Sequence, residues 1–499
     1  MTLIPLADLK PNTADYETLP LIKPTGFREY DARWLLGSEI NLMGLEALGL
    51  GLGTYIQECG VTRIVVGHDF RSYSLSVKQA LSLGLVRAGC EVLDIGLALS
   101  PMAYFAQFDL AAPAVAMVTA SHNENGWTGV KMGVSPPVTF GPDEINRLKA
   151  IVLGGEAKTR PGGSLEHVAG VGQRFIADVV ARCRLTRPLK VVCACGNGTA
   201  GAFAPQALRA MGAEVIEMDC DLDFNFPRYN PNPEDQEMLH SMAVAVRDHG
   251  ADLALGFDGD GDRCGVVDDT GEEIFADKIG LMLARDLAPL NPGAKFVVDV
   301  KSTGLYATDP ILAAHGAEVI YWKTGHSYIK RKTAEISALA GFEKSGHFFF
   351  NGALGRGYDC GLTAAAAILA MLDRHPSERL SDMRRALPVA HTSLTMSPHC
   401  ADEAKYAVVD QVVSAYEALA RAGGHILGRP IRDILTVNGV RVTLEDGSWL
   451  LVRASSNKPE LVVVVESLAS TDDMRALFHQ EVKPRLAAFA AVGAYNQEI

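Results

Sequence analysis

Short apolar runs recur along this chain, separated by helix-like stretches rich in Ala and Leu. Arg63-Ile64-Val65-Val66-Gly67 reads as a buried strand, and Gly89-Cys90-Glu91-Val92-Leu93 as the start of another. The same phrase returns as Val191-Val192-Cys193-Ala194 followed by Gly212-Ala213-Glu214-Val215-Ile216. It returns again as Phe296-Val297-Val298-Asp299-Val300 followed by Gly316-Ala317-Glu318-Val319-Ile320. Strand, turn, helix, strand is a βαβ rhythm, and its repetition predicts three similar α/β domains. In such domains function collects at strand ends, where loops meet. The run Leu253-Ala254-Leu255-Gly256-Phe257 puts Asp258 in a loop leaving a buried strand, and Ala114-Val115-Ala116-Met117-Val118 does the same for Ser121.

The tail has a different pattern. Ile434 to Val437, Val440 to Leu444, Trp449 to Arg453 and Leu461 to Val465 alternate with turns, notably Glu445-Asp446-Gly447-Ser448. This predicts an antiparallel meander. Tyr406 to Ala420 and Thr471 to Ala490 read as helices, so a small α+β domain is expected from about residue 390. Arg160-Pro161-Gly162-Gly163 and His375-Pro376-Ser377 supply linker signals.

Bulk properties narrow the function. A chain of 499 residues is too long for one core, which agrees with several domains. Its 48% hydrophobic and 21% charged content excludes a disordered chain. A formal charge of -13 repels phosphate backbones, so no nucleic-acid partner is expected. A small anionic substrate is still compatible, because a site can be locally positive. The nine cysteines include no CxxC pair and no ligand-spaced cluster; they read as free thiols in a reducing compartment. No basic leader and no uncharged stretch of membrane-spanning length is present, so a cytoplasmic enzyme without a membrane partner is expected.

Two segments carry chemistry. Thr119-Ala120-Ser121-His122-Asn123 offers a loop hydroxyl, with Lys131 following as a potential phosphate contact. It has no G-x-S-x-G elbow, and adjacent Ser and His do not make a hydrolase triad. Asp258-Gly259-Asp260-Gly261-Asp262-Arg263 sets three carboxylates at alternate positions, and the glycines let them turn toward one point. Converging carboxylates repel unless a cation lies between them, and hard oxygen donors favour Mg²⁺. The continuation lacks the ligand spacing of an EF-hand. Arg263 is placed to meet a phosphate or a substrate oxygen. Three further polar loops are candidates: Lys323 to Lys330, Glu343-Lys344-Ser345-Gly346-His347, and Arg453-Ala454-Ser455-Ser456-Asn457-Lys458-Pro459. The second suits sugar hydroxyls, and the third suits a phosphate cradle.

Taken in order, these segments resemble the α-D-phosphohexomutase family, particularly its bacterial phosphomannomutase/phosphoglucomutase members. Phe27 to Arg33 resembles the opening active-site segment, with Trp34 in place of a glycine. Gly67-His68-Asp69-Phe70-Arg71-Ser72-Tyr73-Ser74 resembles a second segment, and Thr119 to Asn123 the phosphoserine loop, with Glu124 in place of a proline. The resemblance implies four domains around a central cleft, three of mixed α/β type and a smaller α+β one, divided at 1–163, 164–274, 275–388 and 389–499. It implies Ser121 as phosphoryl carrier and Asp258, Asp260 and Asp262, with the Ser121 phosphate, as Mg²⁺ ligands. Tyr30, Arg263, Lys301, Gly325, His326, Glu343, Ser345 and His347 would contact substrate. Arg453, Ser455, Asn457 and Lys458 would clamp a phosphate. Arg33, Lys131 and His347 would assist catalysis, the last two as acid/base candidates. The expected reaction moves phosphate between the 1- and 6-positions of mannose or glucose phosphates through a hexose 1,6-bisphosphate, which also acts as activator. A phosphoglucosamine mutase and a noncatalytic sugar-phosphate-binding protein are the alternatives. Either a monomer or a dimer is compatible.

Overall fold

The three repeated phrases fold into three sheets with one shared wiring. In each, a central strand pairs parallel with the next strand in sequence: Arg63–His68 with Glu91–Leu97, Lys190–Ala194 with Glu214–Met218, and Lys295–Asp299 with Glu318–Trp322. On its other side the central strand pairs parallel with a third strand, Ala114–Val118, Leu253–Phe257 or Ala340–Phe342. That third strand then reverses into an antiparallel partner: Trp127–Gly133, Cys264–Asp268 or Phe348–Phe350. The loop at each reversal is one of the chemically rich segments: Ser121, the three aspartates, or Glu343 to His347. Edge strands extend the first two sheets. Ala32–Leu35 and Ser164–His167 border the first, and Glu273–Ile274 borders the second.

This computed structural model describes residues 3–456 and 458–499. Asn457, assigned above to the phosphate loop, lies outside them.

Strand side chains alternate between two layers, as a two-residue period requires. Ala114, Ala116 and Val118 enter one core, while Val115 and Met117 enter another that runs on through the second and third units. Because both faces are covered by helices, the strand reads as a continuous apolar run.

The meander is an antiparallel sheet, in the order His391–Thr392, Leu461–Ser467, Trp449–Ala454, Val440–Leu444, Arg429–Leu435, His425–Ile426. Its first long strand ends at Leu435 rather than Val437, because the chain turns through Asn438 and Gly439, the latter at φ +69°. The helix Asp402–Arg421 covers one face with Val440, Val442, Val463 and Val465. The opposite face, Trp449, Leu451, Val462 and Val464, packs on Val300 of the third unit. The last helical stretch spans Thr471–Ala476, a π-type turn at Leu477–Val482, and Lys483–Ala487, where Pro484 removes one ladder donor. Among the described residues no helix is long and apolar enough to cross a membrane.

Candidate active site

Ser121 leaves the buried strand Ala114–Val118 in a left-handed conformation, φ +51°. Such a backbone is costly for a residue with a Cβ unless its surroundings hold it. Here they do. The Ser121 amide donates to Thr119 Oγ1 at 2.8 Å, and the Ala120 amide to Asp69 Oδ2 at 3.1 Å. Arg71 donates to the carbonyls of Ser121 (2.9 Å), Asn123 (2.7 Å) and Glu124 (3.2 Å), and so encircles the loop. Ser121 Oγ donates to Asp258 Oδ2 at 3.1 Å. That approach depends on Gly259, where a Cβ would lie 2.5 Å from the Ser121 carbonyl.

Asp258, Asp260 and Asp262 are fully buried and present carboxylate oxygens within 4.8 Å of one another. Burial, then the charges of Asp262 and Asp260, pushes the Asp258 carboxyl well above its usual range. Burial opposes the charge on Asp262 too, but Lys131 and His347 prevail and hold that carboxyl well below its usual range. Lys131 Nζ lies 2.7 Å from Asp260 Oδ2 and also bonds Asp262 Oδ2. Burial would lower the ammonium, yet Asp260 and Asp262 raise it well above its ordinary value. Lys131 therefore pairs with the acids at the cleft wall. Asp260 also receives the Ser100 hydroxyl at 2.5 Å and, on its carbonyl, the Ser100 amide at 2.9 Å. Among the described residues buried Asp260 Oδ1 has no hydrogen-bond partner, and Asp262 Oδ1 faces His347 Nε2 at 3.4 Å. Unsatisfied buried oxygens among three carboxylates are a donor set that fits a hard divalent cation.

The third reversal loop stands beside the second. Arg263 and His347 form a bridge between the two loops. His347 Nδ1 pairs with Glu343 Oε2 at 2.9 Å and meets Ser345 Oγ at 3.1 Å. Burial would lower the imidazole, but Asp262 raises it to about 9. Glu343 Oε1 accepts from the Gly325 amide at 2.5 Å. Gly325 sits at φ +129°, and a Cβ there would lie 2.8 Å from the Tyr30 ring, so this turn needs glycine. His326 follows it, with its ring 4.9 Å from Tyr30 and 5.8 Å from His347, and burial then Lys330 holds it well below its usual range. Lys301 Nζ lies 3.9 Å from Asp299 Oδ2. Arg33 is held by Asp31 at 2.9 Å, and Arg263 reaches Glu234 at 3.3 Å and Asp258 at 3.9 Å.

The fourth loop joins Trp449–Ala454 to Leu461–Ser467. Arg453 donates to the Ala454 carbonyl at 2.8 Å, while its buried Nε has no partner among the described residues. Ser455 Oγ accepts from the Lys458 amide at 3.3 Å. Lys405 Nζ, from the covering helix, ties down the carbonyls of Ser455 (2.5 Å) and Lys458 (3.1 Å). Arg441 and Glu466 seat this domain on the third. Arg441 donates to the Val300 and Ser302 carbonyls, both at 2.7 Å, with its guanidinium 3.7 Å from the Trp449 ring centroid. Glu466 accepts from the Gly304 amide at 2.8 Å and Trp449 Nε1 at 2.7 Å.

One cleft of about 960 Å³ joins these parts. It is lined by Tyr30, Arg33, Ser121, Lys131, Arg263, Lys301, Gly325, His326, Glu343, Ser345, His347, Arg453, Ser455 and Lys458, with the three aspartates buried behind Ser121 and Arg263. Some contributors escaped sequence reasoning. Arg71 lies in a segment noted above, but nothing local reveals that it grips the serine loop. Lys330 and Asp359, paired at 2.8 Å and fully buried under Tyr104, are 29 positions apart and leave no local signature. Lys405 looks like an ordinary helix-surface lysine.

Profiles described as phosphoglucomutase/phosphomannomutase alpha/beta/alpha domains I, II and III match residues 24–159, 167–271 and 275–390, and the corresponding C-terminal-domain profile matches 399–483. A phosphomannomutase/phosphoglucomutase of Pseudomonas putida is 34% identical over 441 residues, covering 88% of this chain and 91% of that protein. A phosphoglucomutase of Neisseria gonorrhoeae is 33% identical, covering 88% of this chain and 92% of its own. The crystal structure of a phosphoglucomutase/phosphomannomutase family protein from Burkholderia thailandensis superposes with a TM-score of 0.83 at 30% identity, over 94% of this chain and 98% of that one. With four successive domain profiles matched along a chain whose reversal loops converge on one cleft, this protein belongs to the phosphoglucomutase/phosphomannomutase family and is an enzyme of the phosphohexomutase type.

Proposed function

We propose that the enzyme interconverts the 1- and 6-phosphates of glucose, mannose or both, with Ser121 as the phosphoryl carrier. The observation that carries this reading is the meeting of Ser121 Oγ and Asp258 at 3.1 Å in the cleft that also holds Glu343, His347 and Arg453. The phosphorus–oxygen bond to Ser121 breaks as a bond to the free sugar hydroxyl forms, and that hydroxyl's proton passes by way of a cleft base to the departing Ser121 oxygen. The resulting hexose 1,6-bisphosphate then returns its other phosphate to Ser121, whose hydroxyl proton passes back to the sugar oxygen that is released. Arg453, Ser455 and Lys458 hold the phosphate that is not reacting, while Glu343, Ser345, His326 and Tyr30 orient the ring. Lys131 and Arg263 place positive charge where phosphoryl oxygens accumulate it. When bound, a divalent cation held by Asp258, Asp260, Asp262 and the Ser121 phosphate supplies charge neutralisation during transfer. Seating of the fourth domain through Arg441 and Glu466 limits water at the reacting centre.

The test is Mg²⁺-dependent interconversion of glucose 1-phosphate and glucose 6-phosphate, primed with glucose 1,6-bisphosphate. It is repeated with mannose and glucosamine phosphates. Turnover with glucose or mannose phosphate, lost in folded Ser121→Ala, is expected. Turnover confined to glucosamine phosphate would replace the sugar assignment. Near-native activity in Ser121→Ala would sink the carrier role, and sugar-phosphate binding without any isomerisation would indicate a noncatalytic protein.

A further inference from the structure

The second unit holds a cluster that the phosphoryl-transfer chemistry does not use. Along Lys190–Ala194, Val191 and Cys193 point into one core and Val192 and Ala194 into the opposite one. Cys195 continues the first series, so Cys193 and Cys195 share a face. The neighbouring strand Glu214–Met218 runs parallel, and beyond it Asp219 turns at φ +51°. That turn carries Cys220 back over the pair. Cys195 Sγ lies 3.8 Å from Cys193 Sγ and 3.5 Å from Cys220 Sγ, and all three sulfurs fall within 4.8 Å of one another. Sequence spacing gave no hint of this, because Cys220 is 25 positions from Cys195.

These separations match metal–thiolate geometry. Four sulfurs tetrahedrally bound at about 2.3 Å stand roughly 3.8 Å apart. We propose that Cys193, Cys195 and Cys220 form a second metal site, taking a thiophilic d¹⁰ cation such as Zn²⁺ or Cu⁺ and separate from the aspartate site. Soft sulfur donors discriminate against Mg²⁺ as strongly as the carboxylates favour it. Binding needs no redox partner: the cation replaces thiol protons, which pass to solvent. Contacts with the Cys193 and Cys195 thiols draw the Cys220 thiol below its usual range. The other two thiols are raised: at Cys193 the lowering contact from Cys195 is outweighed by the Cys220 contact and burial, and at Cys195 burial raises it.

The position of the cluster gives binding a route to the catalytic loop. Cys195 accepts the Gly198 amide at 2.8 Å at the root of a turn whose Thr199 amide donates to the Gly259 carbonyl at 3.2 Å. Thr199 Oγ1 accepts from the Phe70 amide at 2.9 Å. A cation at Cys195 therefore stiffens the turn that supports the Asp258–Asp260 backbone from below.

The experiment uses full-length protein, purified reduced and metal-free, with excess Mg²⁺ to fill oxygen-donor sites. Titration with Cd²⁺ should produce a thiolate-to-metal charge-transfer band that saturates at about one cation per chain and is removed by a chelator. Cys220→Ala and Cys195→Ser should each lose the band, and Cys220→Ala should keep its Mg²⁺-dependent activity. Absence of the band in wild-type protein, or its persistence at equal amplitude in both variants, would overturn the site. Should the variants fail to fold, alkylation of wild-type protein decides. In urea just below the unfolding transition, where local opening exposes these buried thiols, Zn²⁺ is expected to slow labelling of Cys193, Cys195 and Cys220 more than that of Cys183, Cys264 or Cys360, and an equal effect on all six would refute the proposal.

Discussion

Lys131→Met isolates the electrostatics of the aspartate loop while keeping most of the side chain's bulk. Lys131 is 3% exposed, and its partners Asp260 and Asp262 are 0% exposed. Removing one member of a buried ion pair typically costs about 3–5 kcal/mol, because the other charge stays desolvated. The loop borders the core that runs through the first three units, and for a unit of about 150–250 residues each kcal/mol shifts the melting midpoint by roughly 2–4 °C. In a chelator the variant should therefore melt about 6–20 °C below wild type. Mg²⁺ should then return much of the loss. Saturation a hundredfold above Kd stabilises by about 2.7 kcal/mol, and the variant should gain more than wild type because Lys131 no longer competes for Asp260 and Asp262. The assay is thermal unfolding at neutral pH with and without Mg²⁺, repeated in the Asp260→Asn background, where losing Lys131 should cost less. A variant that melts with wild type in chelator, or that gains no more than wild type from Mg²⁺, would refute the view that Lys131 and a divalent cation neutralise the same carboxylates. So would strict additivity with Asp260→Asn, which would show that the two side chains are not coupled.

Two other perturbations probe the clamp and a domain junction. Arg453→Ala should raise KM for the sugar phosphate by about 10–150-fold with a smaller change in kcat, since a charge-assisted hydrogen bond contributes about 1.5–3 kcal/mol; unchanged steady-state kinetics would remove Arg453 from the phosphate clamp. Asp268 of the second unit accepts from Arg384 of the third at 2.8 Å. Burial opposes its charge, but hydrogen bonds from Thr270 and Arg384 prevail and lower its carboxyl below the usual range. A depressed folded pKa adds stability above the unfolded carboxyl value of about 3.9, and that stability fades as pH falls through the folded value. Arg384→Ala should thus destabilise at neutral pH, and its deficit should shrink as pH drops below about 4; urea unfolding at several pH values showing a constant deficit would contradict this.

How much of this protein was legible before folding follows from the range of the forces involved. Local patterns determined the strands: a two-residue alternation or a continuous apolar run marks Ala114–Val118 and Leu253–Phe257 whatever surrounds them, and the repeated phrase fixed the threefold wiring. The Asp-Gly-Asp-Gly-Asp run and the loop serine were visible because their chemistry lies in consecutive residues. Tertiary structure alone decided which distant side chains neutralise and hold those loops. Only the fold shows that Lys131, besides lining the cleft, pairs with Asp260 and Asp262, and Arg71 is an unremarkable arginine until it meets the Ser121 carbonyl. Nor does spacing announce that Cys220 joins Cys193 and Cys195, or that Lys330 buries itself against Asp359. Such pairings come from parallel crossovers and domain packing, which bring together residues tens of positions apart. Burial then strengthens interactions between groups that would be screened independent charges in the unfolded chain.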